Sequence, residues 1–415
     1  IAPILMLLFT SVYGMVDGLC VSNFAGLNAY AGLNLIYPAT MIIGGIGFMF
    51  GAGGSALSSK KLGEKDQYGA NQVFSNMLSW ALVIGVILSV IGFFTVKPIV
   101  YFLANLSKDN NPEMISEAIN YGKILMLGQF GFILQMFFQD YFIVNETPGK
   151  GFLFTFAGGM TNIVGDLLLV GVFKWGVIGA AIATVFGFLV AGVGPIIYFL
   201  INKHTKINII KCKNDIKAIL QGLLNGLSEF VGNIALSICG IIFNALLLKY
   251  LGSSGVIAYG TINYVLLTFI GIYIGLSIGT APIVGYNYGA KNYDELHNIT
   301  KKSLIIVVIT GLIMLALSEA LAYPIALIFS NNDQEIINLT VHAMRIYSIA
   351  YVFCGISMFL SSFFTGLNNG PLSALISLLR IAIFQIGMAF LLSFLFEGEG
   401  IWWAIPVAEC SSALF

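Results

Sequence analysis

The chain consists of long apolar runs separated by short polar segments, and each run can cross a bilayer as a helix. Several runs are longer than the roughly 20 residues that a spanning helix needs, so tilt or ends that project into water are expected. The pattern predicts an all-α integral membrane protein. It has twelve predicted spanning helices, at residues 1–25, 31–59, 73–103, 116–144, 150–173, 176–201, 216–250, 255–286, 299–329, 336–365, 371–396 and 400–415.

The second half of the chain repeats a pattern of the first half. Residues 44–70 run parallel to residues 270–296 at a constant offset of 226, so that Gly53 matches Gly279. Both copies read as a glycine-rich helix end, a turn and a short polar stretch that leads into the next helix. Because six predicted helices separate the copies, the two halves are predicted to share one topology, as two pseudo-symmetric six-helix lobes.

The polar stretches predict the lobe boundary and the orientation. The longest one falls at the midpoint, which predicts a first lobe at 1–201, a connecting loop at 202–215 and a second lobe at 216–415. Lysines concentrate in alternate loops, which the positive-inside rule places in the cytoplasm together with both termini. These lysines are Lys60, Lys61, Lys65, Lys150, Lys203, Lys206, Lys211, Lys213, Lys217, Lys291, Lys301 and Lys302.

Composition agrees with the apolar pattern. Hydrophobic residues make up 58% of the chain and charged residues 9%, against about 25% charged in soluble domains. The net charge is zero, so nothing indicates a nucleic-acid partner. No ATP-binding, nucleophile-elbow, zinc-protease or CxxC motif is present, which argues against an enzyme or an ATP-driven pump. Apolar sequence at both ends indicates that a longer natural chain was shortened.

Two aspartates stand inside predicted spanning helices, where a carboxylate costs about 2.5–3.5 kcal/mol on insertion scales. Asp17 lies in the first helix and Asp166 in the fifth, four residues after Asn162 on the same helix face. Thr184 of the sixth helix, four residues after Ala180, adds a hydroxyl. This set of oxygens suits a hard cation such as Na⁺, and two close carboxylates would equally bind a proton. A structural polar cluster that joins the helices is the alternative.

Polar residues in the second half predict a cavity for cationic substrates. Glu229 lies between Asn225 and Asn233, four residues away on either side, in one polar stripe. Arg380 could instead be the structural partner of Glu409 or another acid, since buried charges usually pair. Methionine suits an adaptable pocket. The residues predicted for the cavity are Glu229, Asn225, Arg380, Gln385 and Met41.

Five segments carry a resemblance to a known family. VDGLCVSNFAG, GGSALSSKKLGEKD, TNIVGDLLL, GVIGAAIAT and APIVGYNYGAKNYD resemble the multidrug and toxic compound extrusion (MATE) family, especially its bacterial DinF-like and MepA-like branches. The resemblance implies two six-helix lobes around a central cleft that opens to either side alternately. It also implies export of cationic or amphiphilic drugs against Na⁺ or H⁺, with a first-lobe cation site at Asp17, Asn162, Asp166 and Thr184.

The resemblance sets further expectations. It implies a monomer in the plasma membrane of a bacterium, with drugs and lipid as partners and no cofactor besides the coupling ion. The tenth predicted helix departs from some Na⁺-coupled members, because it has Tyr347 and Tyr351 but no carboxylate. Coupling in the first lobe is therefore favoured.

Three other functions are weighed against drug export. A flippase for lipid-linked sugars would need a cationic cavity, yet only Arg345 and Arg380 lie in helices away from the cytoplasmic loops. An integral-membrane enzyme lacks a nucleophile or a metal cluster in the sequence. A channel is disfavoured because no repeated filter sequence occurs.

Overall fold

The structure is a computed structural model that describes residues 2–107, 111–202, 205–329 and 333–414. Within these ranges the secondary structure is helical without strands, which confirms the all-α prediction. The chain divides into two compact units, Ile1–Gly226 and Leu227–Phe415. The loop residues Lys108, Asp109, Lys203 and His204 lie outside the described residues.

The first unit contains eight α-helices. They are α1 (Ala2–Cys20), α2 (Leu27–Gly63), α3 (Gln67–Ser107), α4 (Pro112–Leu127), α5 (Gln129–Val144), α6 (Pro148–Asp166), α7 (Gly176–Ile201) and α8 (Ile216–Asn225). Helices α1 and α6 each continue into a π-helical segment, Val21–Ala25 and Leu167–Val172 respectively. Helices α4 and α5 are bent by 56° at the break between them.

The second unit contains six α-helices. They are α9 (Leu227–Gly289), α10 (Tyr293–Phe329), α11 (Gln334–Ser348), α12 (Ala350–Gly366), α13 (Gly370–Leu378) and α14 (Ile386–Leu414). A π-helical segment, Leu379–Gln385, joins α13 to α14. Two of these long helices contain a kink, α9 at Gly252 and α14 at Glu397, where the backbone is not helical.

Nine described helices are long and apolar enough to cross a membrane, and eleven spans result if each of two bent pairs counts as one. The bent pairs are α4–α5 and α11–α12, each of which was predicted as a single helix. The run Gly370–Leu414 contains both of the last two predicted helices. Its kink at Glu397 falls in the interval between those two predicted helices.

The sequence repeat also includes one glycine with a positive φ near the start of each unit. Gly26 ends the first spanning helix with φ 102°, and Gly252 breaks α9 with φ 64°. The two positions differ by 226, the offset of the repeat. Because side chains rarely adopt such angles, glycine at both places lets the chain turn into the next helix.

The chain between α7 and α8 is held against α3 rather than running free. Asn208 N donates to Asn71 Oδ1 at 2.9 Å, and Ile210 N donates to Ser75 Oγ at 2.9 Å. The side chain of Ile207 is fully buried. We call residues 205–215 the strap. Side-chain oxygens of α3 thus satisfy backbone groups that would otherwise need water.

Helix α8 packs on α2, although the sequence analysis placed it in the second lobe. A Cβ on Gly53 would lie 1.9 Å from Gly222 O, and a Cβ on Gly226 would lie 2.0 Å from Met49 O. Only glycine permits this backbone approach. The boundary between the compact units therefore falls after Gly226, past the predicted loop at 202–215.

Each unit buries its own apolar core, whereas many large apolar side chains remain exposed. An aromatic cluster joins α3, α5 and α7, with ring centroids 4.7 Å apart for Phe74 and Tyr141 and 5.7 Å apart for Phe138 and Phe199. Exposed apolar surface of this extent is unfavourable in water and suits contact with acyl chains.

Candidate cation site

Helix α1 directs Asp17 inward. Its buried residues Met6, Tyr13, Asp17 and Cys20 recur at helical spacing and form one face. The Asp17 side chain is 8% exposed. The acid therefore lies on the packed side of α1 and not on its apolar outer side.

Glycines let α6 approach two neighbouring helices at once. A Cβ on Gly158 would lie 2.7 Å from Gly187 O of α7, and a Cβ on Gly159 would lie 2.6 Å from the Tyr13 ring of α1. Both glycines lie on the buried face of α6 that also contains Asn162 and Asp166. Close packing through small residues thus brings the polar groups of three helices together.

The two aspartates meet in this packed region. The carboxyl groups of Asp17 and Asp166 are close enough to share a hydrogen bond when one of them holds a proton. Asp166 is fully buried, and neither of its oxygens has a hydrogen-bond donor among the described residues. Asp17 Oδ1 also lacks a hydrogen-bond donor among the described residues. Two such carboxylates repel each other in a low dielectric, so a proton or a metal cation between them would be stabilising.

Asn162 and Thr184 complete one side of the site. Asn162 Nδ2 donates to Thr184 Oγ1 at 3.1 Å, which fixes the amide so that its oxygen stays without a donor among the described residues. Asn162 also lies one helical turn before Asp166 on the same buried face of α6. Ala180, included in the predicted set, is a fully buried residue of α7 that offers no polar side-chain atom.

Three residues at the site were not predicted from the sequence. Tyr121 of α4 is in contact with Thr184 and lies within electrostatic range of both aspartates. Gln135 Nε2 of α5 donates to Tyr13 OH at 3.3 Å, close to Asp17. Each belongs to an ordinary apolar run, so only the packing of α4 and α5 against α1 and α7 could identify it.

The candidate site offers oxygen ligands, which suit a hard cation better than a transition metal. Over the described residues, no group of three or more His, Cys, Asp or Glu side chains is placed to hold a metal ion. The available oxygens are two carboxylates, one amide and one hydroxyl. Such a set fits Na⁺, and the carboxyl pair fits H⁺.

A second polar cluster lies inside the second unit. Arg380 Nε donates to Glu409 Oε1 at 3.0 Å and to Oε2 at 2.9 Å. Gln385 Nε2 donates to Glu409 Oε1 at 2.5 Å. Arg380 Nη2 contacts Cys354 Sγ at 2.9 Å, and Cys239 Sγ contacts Gln385 Oε1 at 3.5 Å. Arg380 and Gln385, which were predicted for a substrate cavity, are thus buried and bonded to an acid.

The other three predicted cavity residues are divided between the units. Met41 of α2 and Asn225 of α8 belong to the first unit, where Met41 is half-buried and Asn225 is buried. Glu229 is a half-buried residue in the first turn of α9, in the second unit. Asn233 Nδ2 donates to the backbone oxygen of Glu229 at 2.8 Å, so its amide supports the helix and not the Glu229 carboxylate.

The sequence matches the MatE family over residues 3–168 and 230–391, which include Asp17, Asn162 and Asp166. The chain belongs to the MatE family. This MatE chain resembles the multidrug export protein MepA of Staphylococcus saprophyticus, with 24% identity over 409 residues that cover 98% of this chain and 88% of the relative. MepA of Staphylococcus aureus shows the same identity and coverage.

Solved structures of MATE transporters have the same fold as this MatE chain. A MATE in complex with MaL6 superposes with a TM-score of 0.92 at 21% identity, covering 100% of this chain and 92% of the other. An outward-facing multidrug resistance transporter of the MATE family also reaches 0.92, at 22% identity, covering 99% and 91%. These likenesses show that the chain has the fold of those solved structures.

Proposed function

We propose that this chain is a secondary active multidrug efflux transporter, which exports cationic or amphiphilic drugs in exchange for Na⁺ or H⁺. Family membership and the similarity to MepA proteins support drug export. The observation that supports ion coupling is the buried pair Asp17 and Asp166, in which both oxygens of Asp166 and Oδ1 of Asp17 lack donors among the described residues. Such a pair gains stability from a cation and loses it when the cation leaves.

Ion occupancy is proposed to control the position of α1 in an alternating-access cycle. With a cation bound, Asp17 and Asp166 attract a shared charge and α1 stays against α6. Without it the carboxylates repel, and α1 moves. The π-helical segment Val21–Ala25 and Gly26 directly follow α1, and irregular hydrogen bonding of this kind permits a helix to change direction.

The drug is proposed to bind through Glu229 of the second unit, because a carboxylate attracts a cationic drug. If one monovalent drug leaves for each monovalent ion that enters, no net charge crosses the membrane. The electrical term of about 2.3 kcal/mol per charge at 100 mV then cancels, and the ion concentration gradient drives export.

The proposed setting is a bacterial plasma membrane, with the chain as a monomer surrounded by lipid and with both termini in the cytoplasm. The lysine-rich loops support this orientation. Lipid contact is supported by the exposed apolar side chains of the spanning helices, such as Phe94 of α3, which is 74% exposed.

Purified protein in lipid vesicles tests the proposal with ethidium as the drug. Efflux is measured with a Na⁺ gradient alone and then with a pH gradient alone, which identifies the ion. Asp166→Asn should abolish ion-driven efflux, whereas Asp294→Asn, at an exposed position in the first turn of α10, should not. Coupled efflux by Asp166→Asn at the wild-type rate contradicts the proposal, as does transport of lipid-linked sugars without transport of ethidium.

A further inference from the structure

The polar clusters of the two units occupy corresponding places. Asn162 comes fourteen positions after Pro148 at the start of α6, and Gln385 comes fourteen positions after Pro371 at the start of α13. The Asn162 amide donates to Thr184 in the following helix, and the Gln385 amide donates to Glu409 in the helix that follows it. The two amides thus perform the same packing role.

The clusters differ in how their acids are satisfied. In the first unit both oxygens of Asp166 and Oδ1 of Asp17 lack donors among the described residues. In the second unit both oxygens of Glu409 accept bonds from Arg380. Arg380 and Glu409 are buried, with side chains 9% and 2% exposed. A guanidinium group therefore sits where the first unit has only acids and neutral groups.

A π-helical segment of the second unit positions the guanidinium group of Arg380 beside Glu409. Arg380 and Gln385 are five residues apart, and an α-helix would turn them to different faces. Both lie in the π-helical segment Leu379–Gln385, in which bonding from i to i+5 aligns such residues. Both side chains consequently reach the carboxylate of Glu409.

We propose that Arg380 is a built-in cation of the second unit, which occupies Glu409 permanently and so confines ion exchange to Asp17 and Asp166 of the first unit. The inference rests on the proposed ion-coupled export. It adds that only the first unit exchanges ions during the transport cycle. An ion from solution would have to displace a charged group that is tethered beside the acid and therefore present at high effective concentration. Glu409 consequently stays ionised and paired throughout the transport cycle.

Carbodiimide labelling tests the inference residue by residue. Dicyclohexylcarbodiimide modifies protonated carboxyl groups in apolar surroundings, and mass spectrometry of the purified protein locates the modified peptide. In the wild type, labelling is expected at Asp17 or Asp166 and not at Glu409. Arg380→Gln should raise labelling of Glu409 at least about tenfold, because its carboxylate now takes a proton. Arg380→Lys, which keeps a tethered cation, should leave Glu409 unlabelled.

Transport by a doubly neutral variant provides the second measurement. Arg380→Gln combined with Glu409→Gln removes both charges and should retain ion-driven ethidium efflux, with the same number of ions per drug at the point of zero net flux. The matched control neutralises Arg345 and Glu319, an exposed pair of the same unit 3.6 Å apart. Loss of coupling in the buried double variant alone would overturn the inference, and so would strong labelling of Glu409 in the wild type.

The two proposals can fail separately. A wild-type protein without ion-driven efflux refutes the proposed function, whatever Glu409 does. The other case is a wild-type protein that shows ion-driven efflux, which Asp166→Asn abolishes, but whose Glu409 is strongly labelled. This result refutes only the proposal that Arg380 is a built-in cation.

Discussion

Asp166 and Glu409 are both almost completely buried, at 0% and 1% exposure, yet they face opposite surroundings. Asp166 meets another carboxyl group, Asp17, and Glu409 meets the guanidinium group of Arg380. Burial of a charge is costly in both cases. The acid of the second unit faces a cation, whereas the acids of the first unit face each other. The proposed function therefore assigns ion exchange to the pair whose charges are not compensated, and burial alone does not identify it.

The largest effect is expected from breaking the ion pair of Arg380 and Glu409. Glu409→Gln leaves the Arg380 guanidinium buried without its acid, and removal of one partner of a buried pair costs about 3–5 kcal/mol. Thermal unfolding in detergent should show a large drop in stability. The double variant with Arg380→Gln should recover most of the loss, and no recovery would mean that the loss does not come from the uncompensated guanidinium group.

The close approach of α6 and α7 is the next point of contrast. Gly158→Ala would place a Cβ 2.7 Å from Gly187 O and should cost about 1–3 kcal/mol, with loss of coupled efflux as Asn162 moves away from Thr184. In the second unit the position equally far from the helix-starting proline is Ile381, a buried large side chain.

The control for this substitution lies on the same helix. Gly149→Ala adds a Cβ that has no neighbour within 4 Å, so stability and efflux should be unchanged. Equal effects of the two substitutions would show that helix propensity, and not the contact with α7, explains the result for Gly158.

Neutralising an acid in the first unit should act in the opposite direction to Glu409→Gln. Asp166→Asn removes one of two repelling carboxylates, and the insertion cost of a central Asp suggests a gain of about 1–3 kcal/mol. Thermal unfolding in the absence of Na⁺ at alkaline pH measures it. A stability loss as large as that of Glu409→Gln would mean that the two pairs are equivalent.

The smallest effects are expected from substitution of the two amide side chains, Gln385 and Asn162, and the two substitutions should differ in what they change. Gln385→Ala removes a donor from Glu409 and should cost about 1–2 kcal/mol of stability without changing the ion dependence of efflux. Asn162→Ala removes an oxygen from the proposed ion site. It should raise the ion concentration for half-maximal efflux about tenfold, equivalent to about 1.4 kcal/mol. The opposite assignment of these effects would contradict the comparison of the two units.

Much of the fold could be predicted because the bilayer imposes a simple pattern. Apolar runs identified the spanning helices, and a repeat at an offset of 226 identified the duplicated topology. The placement of α8 against α2 was not predicted, because it depends on the close backbone contact of Gly53 with Gly222. The strap on α3 was likewise hidden, since polar residues 205–215 resemble an ordinary loop in sequence.

The candidate site could be predicted in part. Asp17 and Asp166 are visible in the sequence because an acid inside an apolar run is costly, and such a cost indicates function. Tyr121 and Gln135 gave no such signal, because aromatic and amide side chains are common in spanning helices. Their relation to the acids depends on the packing of α4 and α5, which no local pattern encodes.

The amino-acid sequence by itself determined that this chain is a bundle of membrane helices with a few charges in costly positions. Only the tertiary structure decided what each charge faces, with Asp166 against an acid of α1 and Glu409 against Arg380. The physical reason is that insertion cost is a property of one helix, whereas the compensation of a buried charge depends on which helices pack together.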